Sequence, residues 1–102
     1  MLIIRGVNLF PSQIEQVLLA VPRVEPHYLL VLRREGALDA LEIRVEAHPD
    51  VVVAGEEALR GLADLVRRRV REAIGIAVEV TVVPPGSIER SPGKARRIHD
   101  LR

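Results

Sequence analysis

The chain has 102 residues, which suits one compact domain and leaves no room for two. Hydrophobic residues make up 48% and aromatics only 2%, so a core can form without staples and must be aliphatic, with Phe10 and Tyr28 the sole aromatic rings. The absence of cysteine excludes disulfides, thiolate metal sites and a cysteine nucleophile, and a net charge of +1 argues against a general polyanion binder.

Met1-Leu2-Ile3-Ile4 is too short for a signal peptide and is interrupted by Arg5-Gly6, while no apolar run approaches membrane-spanning length. A cytoplasmic protein without membrane partners is expected. Leu2 to Ile4 reads as a strand, followed by a Gly6-containing turn. Pro11 and Ser12 open a helix, and Ser12 with Glu15 fits a capping box. Ile14, Val17, Leu18 and Val21 share one helical face, and Pro22 stops that helix. Tyr28 to Arg34 is β-rich, Glu35-Gly36-Ala37 supplies a turn, and Leu41, Ile43, Val45 and Ala47 alternate with Glu42, Arg44 and Glu46. The second run predicts a half-buried strand with one polar face, and the two runs make a hairpin.

His48-Pro49-Asp50 breaks the pattern. From Glu56 to Ile74, Leu59, Leu62, Ala63, Val66, Val70, Ala73 and Ile74 mark a long amphipathic helix. Glu56 and Glu57 in its first turn and Arg67, Arg68, Arg69 and Arg71 in its later turns match the macrodipole, and Gly75 is a natural C-terminal cap. Ile76, Val78, Val80 and Val82 form a last strand that Pro84-Pro85-Gly86 ends, leaving residues 84–102 as a loop-rich tail. The order β-α-β-β-α-β predicts an α+β, ferredoxin-like two-layer sandwich with two helices on one face of an antiparallel sheet.

Several familiar chemistries fail on these residues. His27, His48 and His99 are far apart and lack ligand spacing, so no metal site is expected. Ser12, Ser87 and Ser91 lie in no Gly-x-Ser-x-Gly elbow. Gly93-Lys94 is followed by Ala95 rather than Ser or Thr, and Ile88 stands where a Walker motif needs its first glycine. The strand 41–47 has no aromatic ring on which a base could stack, which argues against nucleic acid.

Two irregular segments remain: Ile4-Arg5-Gly6-Val7-Asn8-Leu9-Phe10-Pro11-Ser12-Gln13-Ile14-Glu15 and Arg90-Ser91-Pro92-Gly93-Lys94-Ala95-Arg96-Arg97-Ile98. Together, and in this order, they resemble the opening and the close of the C-terminal lid domain of phenylacetate–coenzyme A ligases, in the adenylate-forming acyl-CoA synthetase superfamily. The resemblance runs from Met1 to Arg102. It implies a two-step reaction. An aryl acid and ATP, with Mg2+, give an acyl-adenylate; coenzyme A then displaces AMP to give the thioester, the lid turning between two poses. It also implies that Lys94, on the loop Ser91-Pro92-Gly93, is the adenylation lysine and that Arg5-Gly6-Val7-Asn8 is the turn facing coenzyme A.

The 102 residues hold no counterpart of the family's large N-terminal domain or of the hinge aspartate expected just upstream of Met1. The expectation is therefore a lid, inactive by itself and binding no cofactor alone. Its partner is a large adenylation domain in the same chain or a separate subunit. The alternative is a free-standing ferredoxin-like small-ligand-binding or regulatory module that dimerises, in which Lys94 is only a turn residue.

Overall fold

The computed structural model describes residues 2–4, 6–88 and 98–102. Its centre is a long antiparallel hairpin of β3 (Val24–Glu35) and β4 (Leu38–Ala47), with Glu35 opposite Leu38 across a two-residue turn. Gly36, first in that turn, has φ 63°, a conformation glycine takes without steric cost. Period-2 alternation sends Leu41, Ile43, Val45 and Ala47 of β4 to one face, where each is at most 2% exposed. Tyr28, Leu30 and Leu32 of β3 join them, and α1 (Pro11–Ala20) and α3 (Glu56–Ile74) cover this face with Ile14, Leu18, Leu62, Val66 and Val70.

The α+β class, with helices packed on a sheet, follows the sequence reading. The strand pairing differs from it. Leu2–Ile4 (β1) does not enter the sheet: it reverses onto β2 (Val7–Leu9), with Ile4 opposite Val7, and forms a separate two-stranded unit. The main sheet has the order β5-β4-β3-β6, with β5 at Glu79–Val83 and β6 at Ile98–Asp100. Both outer strands run parallel to their neighbours. For β5 the reason is its connection: α3 returns the chain along the sheet before β5 begins, as a parallel crossover requires. The tail, expected to be loop, supplies β6.

Local corrections have equally local causes. The first helix is not capped by Ser12 and Glu15; Phe10 is the cap residue, and its N–H donates to Gln13 Oε1 at 3.0 Å. A short helix α2 (Pro49–Ala54) succeeds the break at His48, whose Nδ1 accepts from Asp50 N–H at 3.2 Å. Helix α3 has its expected bounds and ends on Gly75 at φ 80°. Ile76 and Val78 are buried but precede β5 rather than belonging to it.

The face of β4 without helices is not simply solvated. Glu42 is 7% exposed and Glu46 fully buried. Glu42 Oε1 meets Arg33 Nη1 at 2.7 Å, and Oε2 accepts from Arg44 Nε at 3.1 Å and from Thr81 Oγ1 at 2.7 Å. Burial pushes the Glu42 carboxyl up. Hydrogen bonds from Arg44 and Thr81 and the charges of Arg44 and Arg33 outweigh it, so its pKa lies below the ordinary 4.5.

A carboxyl whose folded pKa is depressed stabilises the fold above its unfolded pKa and loses that contribution as pH falls through the folded value. Replacing Glu42 with glutamine should therefore cost about 1–3 kcal/mol at pH 7, where it removes the charge that Arg33, Arg44 and Thr81 meet. The gap between variant and parent should close as pH drops below 4.5. Urea denaturation midpoints measured at both pH values check this.

Candidate functional site

The β1–β2 unit is held by its apolar side chains. Ile4 and Leu9 are each 1% exposed and belong to the main core. Between them the chain reverses with Gly6 at φ 78°, and Asn8 faces solvent. A Cβ at Gly6 would meet nothing within 4 Å, so the demand for glycine comes from backbone conformation and not from crowding. Val7 is half-buried; Arg5, also named from the sequence, lies outside the described residues.

The last residue ties this unit to the hairpin turn. Arg102 Nη1 donates to the Ile3 carbonyl at 2.9 Å and to Asp39 Oδ2 at 3.1 Å, while Arg34 Nε reaches Asp39 Oδ1 at 3.2 Å. The Leu101 N–H donates to the Leu32 carbonyl at 2.7 Å, prolonging the β6 pairing toward the same end.

At the opposite end of β4, Glu46 points to the face away from the helices. Its Oε1 accepts the Gly86 N–H at 2.9 Å and its Oε2 the Ile88 N–H at 2.8 Å. Gly86 has φ 85°, and Ser87 N–H donates to the Pro84 carbonyl at 3.2 Å, closing a turn directly after β5. Ser91, Pro92, Gly93 and Lys94 come after this turn and lie outside the described residues. Asp39 and Glu46 are seven positions apart on an extended strand, roughly 23 Å at the usual rise. One motif therefore begins beside Asp39 and the stem of the other sits on Glu46, at two ends of the sheet.

Sequence reasoning missed Glu46, Asp39 and Arg102. Glu46 reads as one more polar residue in an alternating strand, and its partners lie 40 and 42 positions away. Among the described residues no group of three His, Asp or Glu side chains gathers in metal-binding geometry. The arginines of α3 are exposed, with Arg67 Nη1 paired to Asp64 Oδ1 at 2.7 Å. An open groove of about 510 Å³ between α1 and α3 contains none of the expected site residues.

The family described as the AMP-binding enzyme C-terminal domain matches residues 6–102. The chain belongs to that family. It is 44% identical to a phenylacetate–coenzyme A ligase of Thermus thermophilus and 42% identical to one of Escherichia coli. All of the chain aligns in both cases, against 26% and 23% of the ligases, so it spans about a quarter of these relatives. Among solved structures, it superposes with a TM-score of 0.92 and 37% identity on a 2-hydroxyisobutyryl-CoA ligase in complex with 2-HIB-AMP and CoA in the thioesterification state, covering 98% of this chain and 21% of that one. The same ligase in the postadenylation state with 2-HIB-AMP gives 0.88 at 37% identity, over 100% of this chain and 22% of that one. A domain of phenylacetate–coenzyme A ligase from Bacteroides vulgatus ATCC 8482 gives 0.89 at 31% identity, over 100% of this chain and 92% of that one. The chain thus has the sequence and fold of an AMP-binding enzyme C-terminal domain, and no described helix is long and apolar enough to cross a membrane.

Because Gly6 needs its left-handed backbone but has free space around it, Gly6→Ala should cost about 1–2 kcal/mol in folding stability. Gly6→Asn should cost less, since asparagine tolerates that region. Denaturant midpoints of the two variants against the parent measure the order.

Proposed function

We propose that this domain is the lid of an ATP-dependent, AMP-forming aryl-acid–CoA ligase acting on a phenylacetate-like acid. The observation that carries the reading is the separation of two anchors on the central hairpin, Asp39 and Glu46. The turn around Gly6 is rooted at the Asp39 end of the sheet through Arg102, and the stem leading to Lys94 is rooted at the Glu46 end. One rigid body of this shape offers one end at a time to a fixed active site. Supporting it, the fold matches the 2-hydroxyisobutyryl-CoA ligase in both its thioesterification and its postadenylation states. The domain need not refold to serve either.

The division of labour follows from charge and reach. In adenylation, a carboxylate oxygen of the acid attacks the α-phosphorus of ATP and pyrophosphate leaves. Negative charge builds on the phosphoryl oxygens, and a compact ammonium such as that of Lys94 stabilises it. In the second step the coenzyme A sulfur attacks the acyl carbonyl, its proton passes to a base, and AMP leaves with the electron pair of the broken acyl–phosphate bond. The exposed Gly6, with nothing within 4 Å of where a Cβ would sit, leaves room for the pantetheine arm beside Val7 and Asn8. Exchange between the poses is a hinge motion, whose dihedral changes fall on residues between the domains. ATP, magnesium and coenzyme A are co-substrates of the complete enzyme, and the acyl pocket and adenine site belong to the large N-terminal domain.

The chain alone, given ATP, magnesium, phenylacetate and coenzyme A, should produce no AMP above background. In a complete ligase bearing this domain, Lys94→Ala should slow adenylation by roughly 10²–10³, the usual loss for one electrostatic stabiliser. Thioester formation from preformed adenylate should change far less. Pyrophosphate exchange and single-turnover thioester assays separate the two steps, and equal losses in both would contradict the assignment.

A further inference from the structure

We infer that Glu46 is a positioning residue for the lysine loop, holding its stem so that the ammonium of Lys94 is delivered to one place. The inference rests on the lid reading above and deepens it.

Glu46 is fully buried in a strand whose next residues on either side, Val45 and Ala47, face the core. An apolar side chain would fill that place at no desolvation cost, whereas a carboxylate must be matched by donors. Its donors include two main-chain N–H groups of the same short turn, Gly86 and Ile88, at 2.9 and 2.8 Å. Glu42, four residues earlier on the same face, is matched instead by the side chains of Arg33, Arg44 and Thr81. Glu42 thus stitches the sheet to itself, while Glu46 reaches out of the sheet to the chain that leaves β5.

The segment 89–97, which carries Lys94, begins directly after Ile88. The described residues that follow it are held too. Ile98 pairs with Leu30 at the start of β6, and Leu101 N–H bonds to the Leu32 carbonyl. Glu46 on β4 and the β6 pairing on β3 therefore hold the residues flanking the lysine segment to one hairpin. Fixing the stems during folding lowers the ordering cost left for the moment the lysine must act. The carboxylate is needed for its two acceptors. A glutamine of the same shape sets an NH2 group against one of the two N–H donors.

The test uses Glu46→Gln in two settings. In the 102-residue chain, amide exchange at Gly86 and Ile88 should quicken by about tenfold, while α3 and the β3–β4 hairpin keep their protection. In the complete ligase, adenylation should fall roughly 10- to 100-fold, as expected for a misplaced group. Thioester formation from preformed adenylate should stay within about twofold, a split that loss of stability alone would not give. Combined with Lys94→Ala, Glu46→Gln should add almost nothing, because both remove one function. Glu46→Asp keeps both acceptors one methylene short and serves if the glutamine variant does not fold. Its losses of protection and adenylation should be smaller and should move together. Equal falls in both half-reactions, or additive effects in the double variant, would overturn the proposal and leave the lid reading standing. An intact adenylation rate in Lys94→Ala would remove the lid reading itself, and this proposal with it.

Discussion

The period-2 alternation of β4 governs the arrangement of this domain. One set of its side chains, Leu41 to Ala47 on the odd positions, is buried under α1 and α3. The other set carries two buried carboxylates into the opposite face. A one-residue slip in register would place Glu42 and Glu46 in the aliphatic core and expose the leucine, isoleucine and valine. Register is therefore strongly specified, and with it the position of every group fastened to those carboxylates. The same strand that organises the core thus fixes the polar anchors at its two ends.

Two segments of this small aliphatic domain are fastened to that strand and its hairpin. The β1–β2 unit is bound by Ile4 and Leu9 to the core and by Arg102 to Asp39. The turn after β5 is bound by Glu46. Both hang from the ends of the central hairpin. In an enzyme with two chemically distinct steps, such a body needs only a hinge, because its interior need not change between them.

Much of this was legible in the residues. The aliphatic periodicity of 56–74 and the alternation of 41–47 each reflect a local period imposed by a nearby core, and local periods survive in sequence. The Ile4 to Glu15 and Arg90 to Ile98 segments were legible by resemblance, and the family match over residues 6–102 agrees with it. The features that escaped depend on partners distant in sequence. Nothing near Leu2–Ile4 says whether it pairs with a sheet or folds back on Val7–Leu9. Nothing around Ile98 distinguishes a three-residue parallel strand from loop, since its pairing is with Leu30. Glu46 and Glu42 look alike in an alternating strand, yet one holds a main-chain turn and the other side chains. Ser12 failed as a cap for a subtler reason: Pro11 suits the first helical position, so the cap falls on Phe10 and Gln13 does the capping.

The most direct test is a pair of structures of a complete ligase containing this domain, one trapped with acyl-adenylate and one with adenylate and coenzyme A. The domain should superpose on itself between them, Glu46 still bonded to Gly86 and Ile88. The Lys94 ammonium should lie within hydrogen-bond reach of the adenylate in the first, and the Gly6 turn should border the pantetheine arm in the second. The same end of the sheet facing the nucleotide in both, or a change of internal packing in the domain to reach it, would contradict a rigid two-ended lid.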